Sequence, residues 1–186
     1  MAVLAANLGT EPSSSARLFF AAWPAPSVQR ALGRIARDLQ RECGGRAVPT
    51  SNIHLTLVFL GDVARDRLAE LESCAAALSA PRFDMSVNDF EYWRHNRIVW
   101  AGPDRCPEAL PALVEQLGQA LVAKRFRIDR RPYLPHITLV RGARRAPVAT
   151  RAPAVPWGVD AVALVESVAR EEGRAYQVLR EWPLSA

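Results

Sequence analysis

Three cysteines and three histidines are all this 186-residue chain has of either type, and it has no long apolar run. Each scarcity excludes something. Cys43, Cys74 and Cys106 are odd in number, widely spaced and lack a Cys-x-x-Cys pair, so a disulfide framework or a cysteine zinc site is not expected. No apolar stretch nears the ~20 residues of a membrane-spanning helix, so no membrane partner is expected. Residues 1–15 have no basic residue ahead of their apolar part and end in Ser13-Ser14-Ser15. They read as a disordered tail, not a secretion signal. Residues 16–186 are then enough for a single domain, and 49% hydrophobic residues argue against global disorder. Reduced cysteines and no export signal point to a cytoplasmic protein, expected to be a monomer.

What the chain does have is a doubled pentapeptide. His54-Leu55-Thr56-Leu57-Val58 recurs as His136-Ile137-Thr138-Leu139-Val140, an offset of 82 residues. Both copies are short, apolar at alternate positions and rich in β-formers, so both are strands. Side chains two apart on a strand share a face. His54 therefore sits beside Thr56, and His136 beside Thr138, while Leu55 and Ile137 point into a core. Two imidazoles on one cleft can divide acid from base, because histidine titrates near neutrality. Two hydroxyls can hold an anionic oxygen. That set suits a phosphodiester. Threonines rather than carboxylates at the next same-face position give no metal-ligand cluster, so no metal or cofactor is expected.

The net charge of +5 is uneven. Residues 124–151 hold nine basic residues and one acid, Asp129, and so carry +8 against −3 for the rest. A basic flank beside the second motif fits a phosphate-bearing partner.

In chain order, residues 17–23 form a strand ended by Pro24 and Pro26, with Ser27 as a helix cap. Val28, Leu32, Ile35 and Leu39 mark a helix stopped at Gly44-Gly45. The first motif strand, 52–60, ends where Gly61-Asp62 turns the chain. Leu68, Leu71, Ala75 and Leu78 make a second helix. The apolar parity of Phe83, Met85 and Val87 shifts to Phe90 and Tyr92, so a bulge is expected near Asn88-Asp89. Residues 93–97 turn into a strand over 98–101, and Pro107 opens a third helix. Pro135 cannot donate to a ladder, so the second motif strand begins at His136. Residues 144–156, rich in arginine, alanine and proline, read as an irregular connection. Residues 159–168 and 175–182 form a last hairpin. The order β-α-β-α-β-β-α-β-β-β gives an α+β class.

The doubled His-x-Thr motif resembles the two-histidine (2H) phosphoesterases, and within them the bacterial RNA 2′,3′-cyclic phosphodiesterases, also called 2′–5′ RNA ligases. The resemblance also rests on Arg17-Leu18-Phe19-Phe20-Ala21, Leu60-Gly61, Tyr92-Trp93, Val99-Trp100 and Pro135. It implies two pseudo-symmetric lobes of antiparallel sheet with outer helices and a central cleft, one motif from each lobe. It implies hydrolysis of RNA 2′,3′-cyclic phosphate ends to 2′-phosphate ends, with RNA as partner. His54 would be the proton donor and His136 the acceptor. Thr56 and Thr138 would bind phosphate, joined by Arg141 through a basic residue the family favours there. Strict alternation places Arg141 on the core face with Ile137 and Leu139, so it serves only if the strand twists or ends at Val140. Tyr133, Trp93 and Arg97 are candidates for a substrate rim, with packing the alternative for Tyr133. The same site would also support reversible 2′–5′ RNA ligation or turnover of a small cyclic nucleotide. A non-enzymatic RNA-end-binding module is the remaining alternative.

Overall fold

The computed structural model describes residues 14–185 except Arg130 and Glu172. The expected tail over residues 1–15 lies outside the described residues save for Ser14 and Ser15, and Ser15 already opens the first strand. That strand, β1 (Ser15–Ala22), is buried without a break from Leu18 to Ala22, on both faces, as its apolar run requires. Helix α1 (Pro26–Cys43) starts on Pro26 itself, with Ala25 at the N-cap and no side-chain cap. Ser27, expected as the cap, is inside the first turn, because proline at the first helical position needs no N–H partner and presets φ. Leu32, Ala36, Leu39 and Cys43 form its buried stripe, and Gly44 ends it at φ +72°.

The remaining elements are β2 (Arg46–Ala47), β3 (Leu55–Ala64), α2 (Leu68–Ala76), β4 (Phe83–Trp93), β5 (Ile98–Pro103), α3 (Ala109–Ala123), β6 (Ile137–Arg141), β7 (Arg151–Val159), β8 (Ala161–Arg170) and β9 (Gly173–Pro183). They form two antiparallel sheets, β3-β1-β8-β9 and β2-β6-β5-β4-β7. The architecture is α+β, with a motif strand in each sheet. The unit strand–helix–motif strand occurs twice, as β1-α1-β3 and as β5-α3-β6, and each motif strand pairs with the strand that opens its unit. The helices are exchanged between sheets. Helix α1 packs against β2, β6 and β7, whereas α3 packs against β3 and α2. One buried cluster therefore runs from Leu18 and Phe20 through Leu32 and Leu117 to Leu139.

Three expectations change. Residues 151–156, read as irregular, belong to β7, which pairs with β4 from Phe83↔Val159 to Asp89↔Arg151. Strand β7 is the sheet edge, so Pro153 and Pro156 can be accommodated there, and Val155, Trp157 and Val159 alternate inward. Only Asp160 separates β7 from β8, where the chain changes sheets. Second, Gly61-Asp62 does not turn the chain. Strand β3 continues to Ala64, with a register shift opposite Leu18/Phe19 and Gly61 at φ +72°, a conformation glycine adopts without a Cβ clash. Third, ladder pairing of the second motif begins at Ile137, one residue after His136. The bulge expected near Asn88 is present, since the register of β4 jumps from Val87 to Asp89 against both neighbours.

Candidate active site

Leu55 and Ile137, the residues after the two histidines, are fully buried. Burying each contributes on the order of 2–3 kcal/mol and turns its histidine to the opposite face. There the two imidazoles are fixed in the same way. His54 Nδ1 donates to the Asn52 carbonyl at 2.7 Å, and His136 Nδ1 donates to the Leu134 carbonyl at 2.9 Å. A carbonyl only accepts, so in both rings Nδ1 carries the hydrogen and Nε2 is left for chemistry. His54 Nε2 lies 3.0 Å from Thr56 Oγ1, so the neutral ring accepts from that hydroxyl.

Both motif strands bulge at the same place. Against β1, the register runs Phe20↔Val58 and then Ala21↔Thr56, leaving Leu57 without a partner position. Against β5, it runs Val99↔Val140 and then Trp100↔Thr138, leaving out Leu139. Each leucine–valine pair is consequently buried together, Leu57 with Val58 and Leu139 with Val140. The extra residue reverses the parity of the residues beyond it. Arg141, which strict alternation placed on the core face, emerges opposite Ile98 on the same face as Thr138 and lines the cleft. Its counterpart in the first motif, Phe59, does the same and carries the Arg17 guanidinium over its ring at 4.8 Å.

The surroundings of the two histidines differ. His54 is boxed by the Trp23 ring, stacked at 5.5 Å and 12°, by Phe19 at 4.8 Å and by the edge-on Tyr176 at 5.1 Å. Burial pushes its pKa down to about 4, the charges of Arg141 and His136 push the same way, and the bond to Asn52 opposes them. His136 lies against Trp93 at 4.8 Å and Trp100 at 6.1 Å. Its pKa is also held down, first by burial and then by Arg141. Asn52 secures the His54 side: its Nδ2 donates to the Arg174 carbonyl at 2.6 Å and its Oδ1 accepts from the Tyr176 N–H at 3.3 Å. That clips β9 to the turn carrying His54.

His54, Thr56, His136, Thr138, Arg141 and Trp93 all line one cleft of about 730 Å³ between the sheets. Tyr133 and Arg97 are not among its lining residues. The Tyr133 side chain packs on the core and its hydroxyl donates to the Thr56 carbonyl at 3.0 Å. Arg97 sits in the β4–β5 turn at φ 58°, where its carbonyl accepts from Ala143. The cleft holds four arginines and, among the described residues, no carboxylate. Three of the four, Arg17, Arg46 and Arg174, come from β1, β2 and β9 and were not singled out from the sequence as site residues. Of the described arginines and lysine of the basic segment 124–151, Arg141 alone lines the cleft. Arg131 is instead paired with Asp129, Arg145 with the Glu42 carbonyl and Arg151 with Asp89.

Residues 23–100 match the family model of LigT-like phosphoesterases. The chain belongs to that two-histidine phosphoesterase family. It is 32% identical over 177 residues to the RNA 2′,3′-cyclic phosphodiesterase of Escherichia coli K12, covering 93% of this chain and 99% of the relative. It is 34% identical over 184 residues to the Thermus thermophilus protein of the same description, covering 90% of each. Among solved structures, E. coli LigT complexed with 3′-AMP superposes with a TM-score of 0.85 at 28% identity, over 92% of this chain and 99% of that one.

Proposed function

We propose that the cleft hydrolyses 2′,3′-cyclic phosphate ends of RNA, leaving a 2′-phosphate and a free 3′-hydroxyl. The observation that carries this reading is the matched pair of imidazoles. Each has Nδ1 anchored to a main-chain carbonyl two residues earlier, and they face one arginine-lined cleft from opposite sheets. The near-full-length likeness to curated RNA 2′,3′-cyclic phosphodiesterases supports the substrate class.

In this reading water attacks phosphorus while the P–O3′ bond breaks. One neutral Nε2 takes the proton from water, and one protonated Nε2 delivers a proton to the leaving 3′-oxygen. In the family order His136 is the base and His54 the acid. The Thr56 and Thr138 hydroxyls and the Arg141 guanidinium hold the non-bridging oxygens, whose charge grows in the transition state. A hydrogen bond to such a charged group contributes about 1.5–3 kcal/mol. These side chains supply activation, protonation and charge compensation. Trp93, on the cleft wall beside His136, is the rim residue placed to meet a base. The reading extends to a cytoplasmic monomer with one domain over residues 16–186, consistent with three free cysteines and a main buried cluster that joins both sheets. Light scattering on the purified protein tests the monomer.

The deciding experiment incubates the protein, in EDTA, with an oligoribonucleotide ending in a 2′,3′-cyclic phosphate and identifies the product end. A 2′-phosphate supports the proposal. A 3′-phosphate reverses the leaving group, a 2′–5′ joined product indicates ligation, and binding without turnover leaves only an end-binding module.

A further inference from the structure

Arg46 and Arg141 stand directly opposite each other in the β2–β6 ladder. Like charges opposed across a ladder are destabilising. Here nothing offsets the repulsion: among the described residues neither guanidinium has a carboxylate partner, and the cleft they line contains none. The other two cleft arginines are engaged. Arg17 lies over Phe59 and 3.8 Å from Asp62, and Arg174 donates to Ser167 Oγ at 3.1 Å. The two guanidiniums with no hydrogen-bond or ion-pair partner among the described residues therefore stand together at one end of the second motif strand.

The two arginines are not equivalent toward the histidines. Burial first and then Arg141, on the motif strand itself, hold down the pKa of both rings, and Arg46 stands one strand further out. Arg46 lies on the far side of Arg141 from β5, on the sheet's outermost two-residue strand. Through the bulge at Leu139, Thr138 and Arg141 stand opposite Trp100 and Ile98, two residues apart, so about 7 Å separates them along the strand. An anion seated between the threonines and histidines can engage Arg141, but Arg46 is placed to meet a different one.

We propose that Arg46 holds a second phosphate of the substrate, the internucleotide phosphate next to the terminal cyclic one, with Arg141 shared between the two. The inference rests on the cyclic phosphodiesterase reading and deepens it, because it makes the cleft selective for an RNA strand over a single nucleotide. The short β2 edge and the positive-φ glycine pair Gly44-Gly45 ahead of it serve to present Arg46 there. Guanidinium suits the task, since its planar fork matches a phosphate.

The test compares wild type, Arg46→Ala and Arg46→Lys on two substrates, a 2′,3′-cyclic mononucleotide lacking a 5′-phosphate and a short oligoribonucleotide ending in a 2′,3′-cyclic phosphate. Arg46 is exposed, and a thermal melt checks that the variants fold. The expected result is that R46A lowers kcat/KM for the oligonucleotide about tenfold more than for the mononucleotide, with R46K recovering much of the difference. A second arm needs no turnover. The affinity of an oligoribonucleotide ending in a 3′-phosphate is followed by anisotropy against salt, and the log–log slope is expected to become shallower by ~0.7 in R46A. Equal losses on both substrates, no loss on either, or an unchanged salt slope would each overturn the proposal. A wild-type protein that turns over neither substrate refutes the phosphodiesterase reading instead, and the salt slope still decides Arg46.

Discussion

The Tyr133 hydroxyl donates to the Thr56 carbonyl at 3.0 Å, fastening the segment that leads into one motif to the backbone of the other. Burial raises the pKa of this phenol, so it remains a donor throughout the physiological range. The bond ties the approach to the second motif to the first motif strand and helps set the separation of the two threonines. Tyr133→Phe is expected to lose about 1 kcal/mol of stability in urea denaturation. It should lower kcat more than it raises KM. A base-stacking Tyr133 would give the opposite pattern, a raised KM with stability unchanged.

His54→Ala and His136→Ala are each expected to lower turnover by roughly 10²–10⁴-fold. Both rings reach the cleft from strands anchored by other residues, Leu55 and Ile137, so the far-ultraviolet spectrum should be retained. Thr56→Val removes the donor to His54 Nε2 as well as a phosphate contact. It should therefore cost more than Thr138→Val, by a ratio that steady-state kinetics on the two variants measures directly. A histidine variant with full activity would remove that histidine from the chemistry.

Alternation is a local property, which is why the motif strands and the inward-facing Leu55 and Ile137 could be read from the chain. The bulges at Leu57 and Leu139 are not local. Each is defined by a partner strand about 40 residues away, and without them Arg141 falls on the wrong face. Strand β7 was hidden for a related reason. Its prolines argue against a strand until the sheet order shows that they lie on an edge. The charge count pointed to residues 124–151, but proximity in sequence is not proximity in space. The cleft arginines arrive singly on β1, β2, β6 and β9, while Arg131 and Arg151 of the basic segment are paired with Asp129 and Asp89. Phe59 had a legible signal, since it occupies the position of Arg141 in the repeat, though its exposure at the cleft needs the bulge to explain it.

His54 also couples stability to pH. Its folded pKa, about 4, lies below the 6.5 of an unperturbed imidazole. The unfolded chain therefore takes up a proton as pH falls through 6.5 while the folded chain does not. Stability is fully present above that value and is lost progressively down to about pH 4, by about 3 kcal/mol. The pH dependence of urea midpoints should be shallower by that amount in His54→Gln than in wild type. Carboxylates titrate alike in both proteins and cancel. Parallel curves would mean that His54 is solvated in the native state.

The same two rings determine the shape of the rate profile. Catalysis requires one proton on the pair, so kcat/KM against pH should be bell-shaped, with apparent constants that belong to the coupled pair. Both pKa values are depressed in the free protein, with burial the main cause and Arg141 a contributor to each. The kcat/KM optimum should consequently lie below about pH 6.5. The anionic substrate raises both values, so the kcat profile should be displaced to higher pH. His136 is the less enclosed ring, so it is expected to take the first proton in the free protein. The family order, with His54 as acid, therefore requires the bound phosphate to draw that proton to His54. Titration of the imidazole Cε1–H resonances, free and with a 2′-phosphorylated nucleotide, follows the transfer. If His136 remains the protonated ring in the complex, the two roles are exchanged and His54 activates water. Arg141→Ala should shift both limbs of the kcat/KM bell to higher pH while lowering its height. A profile that drops in height without moving would show that Arg141 binds phosphate but does not act on the histidines.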